Sequence, residues 1–276
     1  MSISAADVKK LRDQTGAGMM DCKKALAESG GDMEKAIEYL RKKGQKVSEK
    51  RADREANQGL IVVKISDDKK KASVVELNCE TDFVAKNEEF LQYASDFAQV
   101  IFDQEPADRD ALLQTNIKQV TVGDMLKDLV GKIGEKIDIG KFELLKTEGQ
   151  IIDYIHPGNQ LAVLVEFEGP VSDPETGKDV AMQIAAMNPI AVNRDEVDTT
   201  ILEKEQEIAK EQLINEGKPE EIAEKAAVGK MRRFFEERVL LEQKFVKDGS
   251  ISIQEYLKNA GAPNVRSFAR IQLGGN

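Results

Sequence analysis

Chemistry at a protein site usually starts from a nucleophile, a base or a set of metal ligands, and this 276-residue chain is poorly supplied with all three. It holds one histidine, His156, and two cysteines, Cys22 and Cys79. Cys79 with His156 is therefore the one conceivable nucleophile–base pair. Cys79 follows Ala72–Leu77, an apolar run that reads as a buried strand, so a small core thiol is its ordinary role. His156 stands in the turn His156-Pro157-Gly158-Asn159, where a solvated imidazole is expected. A His/Cys metal site lacks ligands. Gly16-Ala17-Gly18 and Gly131-Lys132-Ile133-Gly134 lack the third glycine of a dinucleotide loop, and no GxxxxGK[ST] stretch exists to cradle phosphates. The expectation is a chain with no cofactor, no metal and no nucleotide hydrolysis of its own.

Two other stretches carry unusual side chains. In Asn78-Cys79-Glu80-Thr81-Asp82-Phe83-Val84-Ala85-Lys86-Asn87, Phe83 falls between a strand and a helix that Asn87 caps. Such connections lie on the surface and often carry function. Phe83 either folds back over the local core or is a wedge meant for a partner. In Thr15-Gly16-Ala17-Gly18-Met19-Met20, two flexible methionines follow two glycines at a helix corner, which suits a partner groove or core filling equally.

The elements around these stretches follow from periodicity. Ser4 with Asp7 opens a helix that Thr15-Gly16 ends. A second helix runs from about Asp21 to Ser29 with Cys22, Ala25 and Leu26 inward. A third is capped by Asp32 and stopped at Gly44. Residues 1–45 thus form a small three-helix domain, and the charged residues 46–58 read as a linker with some helical character. From Gly59 a β-hairpin appears, Leu60–Ile65 with Ala72–Leu77. A helix follows with Phe90, Leu91, Ala94, Phe97, Ala98 and Ile101 at helical spacing, then helices near 108–117 and 122–134 and a strand from Ile137.

The pattern then repeats. Gly149 lies 90 residues after Gly59, and the same offset pairs Glu76 with Glu166, Leu77 with Phe167 and Phe90 with Val180. The fold class expected is α+β: a duplicated core of small antiparallel sheets covered by helices, with subdomains at 59–147 and 148–276. The second copy has Glu168-Gly169-Pro170-Val171 where the first has Asn78 to Lys86, so the shared architecture does not require the Phe83 loop. That favours the wedge. Residues 194–245 form a polar helical hairpin of coiled-coil type, with Val197, Ile201, Ile208 and Leu213 on one strip and Ile222, Val228, Met231, Phe235 and Val239 returning. A short capped helix at Ser252–Ala260 and a strand from Val265 close the chain.

The net charge of −10 is uneven. Residues 1–54 carry 13 Lys/Arg against 9 Asp/Glu, and the rest carries 27 against 41. An acidic body argues against nucleic-acid binding, which rests on neutralising phosphates. No apolar run suits a membrane span, and the start lacks signal-peptide features, so a reducing cytoplasm is the expected home.

Thr15–Leu26 and Asn78–Asn87, together with the order of parts, resemble bacterial translation elongation factor Ts across essentially the whole chain. The N-terminal bundle also resembles ubiquitin-associated (UBA-like) domains in shape. The resemblance implies a guanine nucleotide exchange factor that promotes GDP release from elongation factor Tu, binding its GDP-bound and nucleotide-free forms. It implies that Thr81, Asp82, Phe83 and Val84 disturb the partner's magnesium site, and that Met19 and Met20 grip a partner helix. Arg51, Ile133, Gly134 and His156 match further contact positions, and the hairpin matches a dimerisation element, so a homodimer is implied. The chain stops at Asn276, where some members continue into a C-terminal helical module. The alternative from another class is a coiled-coil scaffold or adaptor whose head binds helices or ubiquitin-like surfaces; a Cys79-dependent enzyme is a third.

Overall fold

The computed structural model describes residues 3–117 and 119–275. It is a mixed helix-and-sheet protein of two compact units. One comprises residues 3–64, 73–144 and 272–275, and the other residues 65–72 and 145–271.

Three helices open the first unit: α1 (Ala5–Thr15), α2 (Met19–Glu28) and α3 (Met33–Arg51). Ser4 and Asp7 form the capping box that starts α1, and Gly16 ends it in the left-handed conformation at φ 67°. Val8, Leu11, Cys22, Ala25, Leu26 and Ala36 are the core of this head. Two expectations are corrected here. The second helix starts at Met19 rather than near Asp21. The third does not stop at Gly44 but runs on to Arg51, so much of the expected linker is helix. Gly44 is a packing residue rather than a helix stop. It faces Gly131 of a later helix so closely that a Cβ built on Gly131 would lie 2.7 Å from the Gly44 Cα. Two glycines let the helix axes approach where any side chain would hold them apart.

The hairpin is β1 (Gln58–Ile65) and β2 (Lys71–Cys79), followed by a single-turn helix α4 (Asp82–Ala85) where the sequence pattern predicts a loop. Then come α5 (Glu88–Gln104), capped by Asn87, α6 (Arg109–Gln114), the short strands β3 (Asn116–Ile117) and β4 (Val120–Thr121), α7 (Val122–Ile133) and β5 (Ile137–Lys146). Gly134 caps α7 at φ 80°. The sheet order is β1-β2-β5. Phe90, Phe97 and Ile101 from α5 and Leu129 from α7 fill its core with Leu77 and Cys79.

In the second unit β6 (Gln150–Ile155) pairs antiparallel with β7 (Leu161–Phe167), with Gln150 opposite Phe167. Next is α8 (Pro174–Met187), capped by Asp173, then the helical hairpin α9 (Thr199–Asn215) and α10 (Glu220–Arg238). A small hairpin, β8 (Lys244–Phe245) and β9 (Asp248–Ser252), precedes α11 (Ile253–Asn259) and β10 (Val265–Gln272); the two short strands were not foreseen. The sheet order is β6-β7-β10.

Shifted by the 90-residue offset, β1-β2 becomes β6-β7, and each sheet takes a later strand against its second member. The glycines at the hairpin starts match too. A Cβ on Gly59 would collide with the Leu77 carbonyl oxygen, and one on Gly149 with that of Phe167. The same close backbone approach thus recurs at paired positions.

The inner face of the helical hairpin matches the expected strip only in part: Leu213 is in the seam, and Val197 and Val239 are buried in a neighbouring cluster against which Phe235 packs. The seam is Ala209, Leu213, Ala223 and Ala227, whereas Ile201, Ile208, Ile222 and Val228 are exposed. Small alanines let the two helices approach, and the larger β-branched residues are left outside.

Candidate partner-binding site

β2 ends at Cys79, and the chain must turn from a buried strand towards α5. Glu80 and Thr81 make that turn, and α4 occupies it. Thr81 is the N-cap of α4, its hydroxyl oxygen accepting from Val84 N at 3.5 Å. Asp82 lies in the first helical turn, where a carboxylate meets the positive end of the backbone dipoles. It pairs with Lys86 at 2.7 Å, which holds its carboxyl below the ordinary carboxylate range. Val84 and Ala85 lean against the first-sheet core. Phe83 does the opposite: it is 81% exposed. It therefore does not cap the local core.

The base of the turn is tied on two sides. Glu80 takes Arg51 Nη1 at 2.6 Å and the Lys136 backbone N–H at 2.6 Å, with Arg54 at 3.8 Å. The Lys136 N–H, then Arg51, holds its carboxyl below the ordinary range. Lys136 Nζ in turn donates to the carbonyls of Ala52 and Arg54 at 2.7 and 2.8 Å. On the other side Glu135 accepts from Thr81 N at 3.0 Å and from Thr81 Oγ1 at 2.7 Å.

Of the residues singled out in the sequence, the structure brings several together in the first unit. Thr81, Asp82, Phe83 and Val84 form the turn, Arg51 reaches its base through Glu80, and Ile133 and Gly134 lead directly into Glu135 and Lys136. Met19 and Met20 open α2, 57% and 74% exposed, so neither fills the head core. His156 belongs to the other unit, exposed after β6, with its Nδ1 2.9 Å from the Tyr154 hydroxyl. Cys79 is buried and donates its thiol proton to the Thr81 carbonyl at 3.1 Å. Burial, and then the charge of Glu135, pushes that thiol up to about 12, which disfavours the thiolate that a nucleophile at this position would need.

Glu80, Glu135 and Lys136, which hold the base of this turn, were not singled out from the sequence. Glu80 lies inside the stretch already singled out, and Glu135-Lys136 follow Ile133-Gly134 directly, but nothing local signals that the segments meet. Among the described residues no group of His, Cys, Asp and Glu is arranged to hold a metal ion, and no helix is long and apolar enough to cross a membrane.

An exposed aromatic on an anchored turn, beside a thiol held neutral, suits the class of proteins that act by binding others. Comparison with known proteins gives that class a family. The family model described as Elongation factor TS matches residues 80–275. Elongation factor Ts of Prosthecochloris aestuarii is 46% identical over 284 aligned residues, covering 99% of each chain. That of Chlorobaculum parvum is 45% identical with 99% of each covered, and that of Amoebophilus asiaticus 46% identical with 99% and 100% covered. The chain belongs to the elongation factor Ts family and is a translation elongation factor.

Proposed function

We propose that this protein is a cytoplasmic guanine nucleotide exchange factor for elongation factor Tu, which loosens GDP by placing Asp82 and Phe83 beside the partner's magnesium and phosphate site. The observation that carries this reading is Phe83, 81% exposed on a turn whose base is fixed. Exchange makes and breaks no covalent bond, so it needs no nucleophile. It needs a surface that binds the nucleotide-free partner more tightly than the GDP-bound one. By linkage, GDP then weakens that grip by the same factor. Burying one Phe contributes about 1.5–3 kcal/mol, comparable to typical allosteric couplings of about 1–3 kcal/mol when it is buried in only one state of the partner. Displacing Mg²⁺ removes the largest positive charge at a phosphate site.

The other residues have roles in this reading. Thr81 and Val84 hold the turn from which Asp82 and Phe83 project. Met19 and Met20 offer soft apolar contact to a partner helix. Ile133, Gly134, Arg51 and His156 are the further contact positions. The exposed Ile222 and Val228 of the helical hairpin support a pairing role for that element, including with a second copy of the chain.

The test is the release of labelled GDP from purified elongation factor Tu. Micromolar amounts of this chain should accelerate it, and an unchanged rate would sink the reading.

A further inference from the structure

The turn that carries Phe83 is four residues long, and none of its side chains is fully buried, Val84 and Ala85 being partly packed on the first-sheet core. A helix this short cannot hold itself, because nucleation fixes several dihedrals for a single hydrogen bond. Its own cap is long, at 3.5 Å from Thr81 Oγ1 to Val84 N. Its order must therefore come from outside.

All the polar atoms of Thr81 are engaged, two of them by one residue. Its N–H and its hydroxyl both donate to Glu135, at 3.0 and 2.7 Å, while its carbonyl accepts the Cys79 thiol. The hydroxyl bond has a second effect. A hydroxyl has one proton and two lone pairs. With the proton given to Glu135 Oε1, a lone pair is turned towards Val84 N, and the cap can form. Bonds to an ionised carboxylate are about twice as strong as neutral ones. The anchor is thus Glu135, not the cap.

We propose that Glu135 is the positioning residue of the exchange site: it fixes Thr81 and so sets the direction in which Asp82 and Phe83 project. This rests on the exchange reading given above. Glu135 reaches Thr81 from the turn that follows Gly134, so the same short segment places a proposed contact position and aims the wedge. Glu80, the residue before the cap, is itself held by Arg51 and the Lys136 N–H, and Glu135 fixes the capping residue Thr81.

The experiment compares the full-length wild-type chain with Glu135→Ala and Glu135→Gln. Labelled GDP release from purified elongation factor Tu is followed over a concentration series, separating the maximum rate from the half-saturating concentration. Glu135→Ala is expected to lower the maximum rate about tenfold, the cost of ordering a loosened turn at each encounter, and to leave half-saturation within about threefold. Glu135→Gln keeps one acceptor oxygen but sets an NH₂ against one of the two Thr81 donors, and should fall between; if Glu135→Ala fails to fold, it carries the test by the same criteria. Amide hydrogen exchange on the isolated chain supplies a readout without the partner. The Thr81 and Val84 amides should lose protection in Glu135→Ala while those of α5 keep theirs. An unchanged maximum rate overturns the proposal. So does a raised half-saturating concentration at an unchanged maximum rate, which would make Glu135 a direct contact. Failure of the wild-type chain to accelerate release removes the exchange reading, whereas the anchor stands or falls on the Thr81 and Val84 amides alone.

Discussion

The connection from β2 to α5 and the connection from β7 to α8 leave matching sheets for matching helices, yet they are built in opposite senses. In the second unit the chain tucks in. Val171 is buried, its N–H donates to Gln150 Oε1 at 2.7 Å, and Glu168 N donates to the Asn264 carbonyl at 2.9 Å. In the first unit the chain projects, with Phe83 in solvent and carboxylates of Glu80 and Glu135 holding the base. The same frame thus tolerates a closed connection. The shared architecture therefore does not require the exposed aromatic, and in the proposed complex the cost of leaving it in water would be recovered.

The contrast can be broken most forcefully at its buried member. Phe167→Ala removes a fully buried ring of the second core and is expected to cost about 3–5 kcal/mol, read as a large fall in the thermal midpoint. Phe83→Ala should do the reverse. The midpoint should stay nearly unchanged, while the acceleration of GDP release falls by the equivalent of about 2–4 kcal/mol, the cost of truncating a binding hot spot. A midpoint drop comparable to that of Phe167→Ala would return Phe83 to the core. Gly131→Ala tests whether the head's placement belongs to the projecting arrangement. Its Cβ would meet the Gly44 Cα at 2.7 Å, so α3 and α7 must separate, at about 1–3 kcal/mol by thermal or denaturant unfolding. The smallest effect is electrostatic. The lowered pKa of Glu80 means that its folded form prefers the carboxylate, so its contribution is complete above the ordinary carboxylate range and is lost as pH falls through the lowered value. The midpoint difference between wild type and Glu80→Gln should hold steady at neutral pH and close on acidification through that window.

Much of this arrangement was readable from local pattern. Caps, glycine stops and apolar periodicity located most helices and both hairpins, because such signals lie within a few residues of what they specify. The offset of 90 residues exposed the duplication, and the mismatch at Phe83 pointed to the site. What escaped was set by distant partners. Gly44 reads as a helix stop because glycine often is one; only Gly131, far along the chain, makes it a packing residue. The hairpin strip was right for Val197, Leu213 and Val239 and wrong for its exposed members, for a related reason. Counting the large apolar side chains selected Ile201, Ile208, Ile222 and Val228, whereas close helix packing selected the alanines. Glu80 and Glu135 escaped as supports because a carboxylate's partners, Arg51, Lys136 and Thr81, lie on other elements.

The unbroken course of α3 has a consequence for affinity. With 19 residues at about 1.5 Å each, it spans close to 28 Å, and it begins in the head and ends on the clamp at Glu80. Two contact surfaces joined by a flexible tether gain from each other only at the effective concentration the tether permits, which falls as it lengthens. Here the methionine corner and the Phe83 turn are joined through a continuous helix pinned at a glycine crossing. In the complex proposed above, once one of them has docked the other has little conformational space to search, so the pair would act with the avidity of a single rigid ligand.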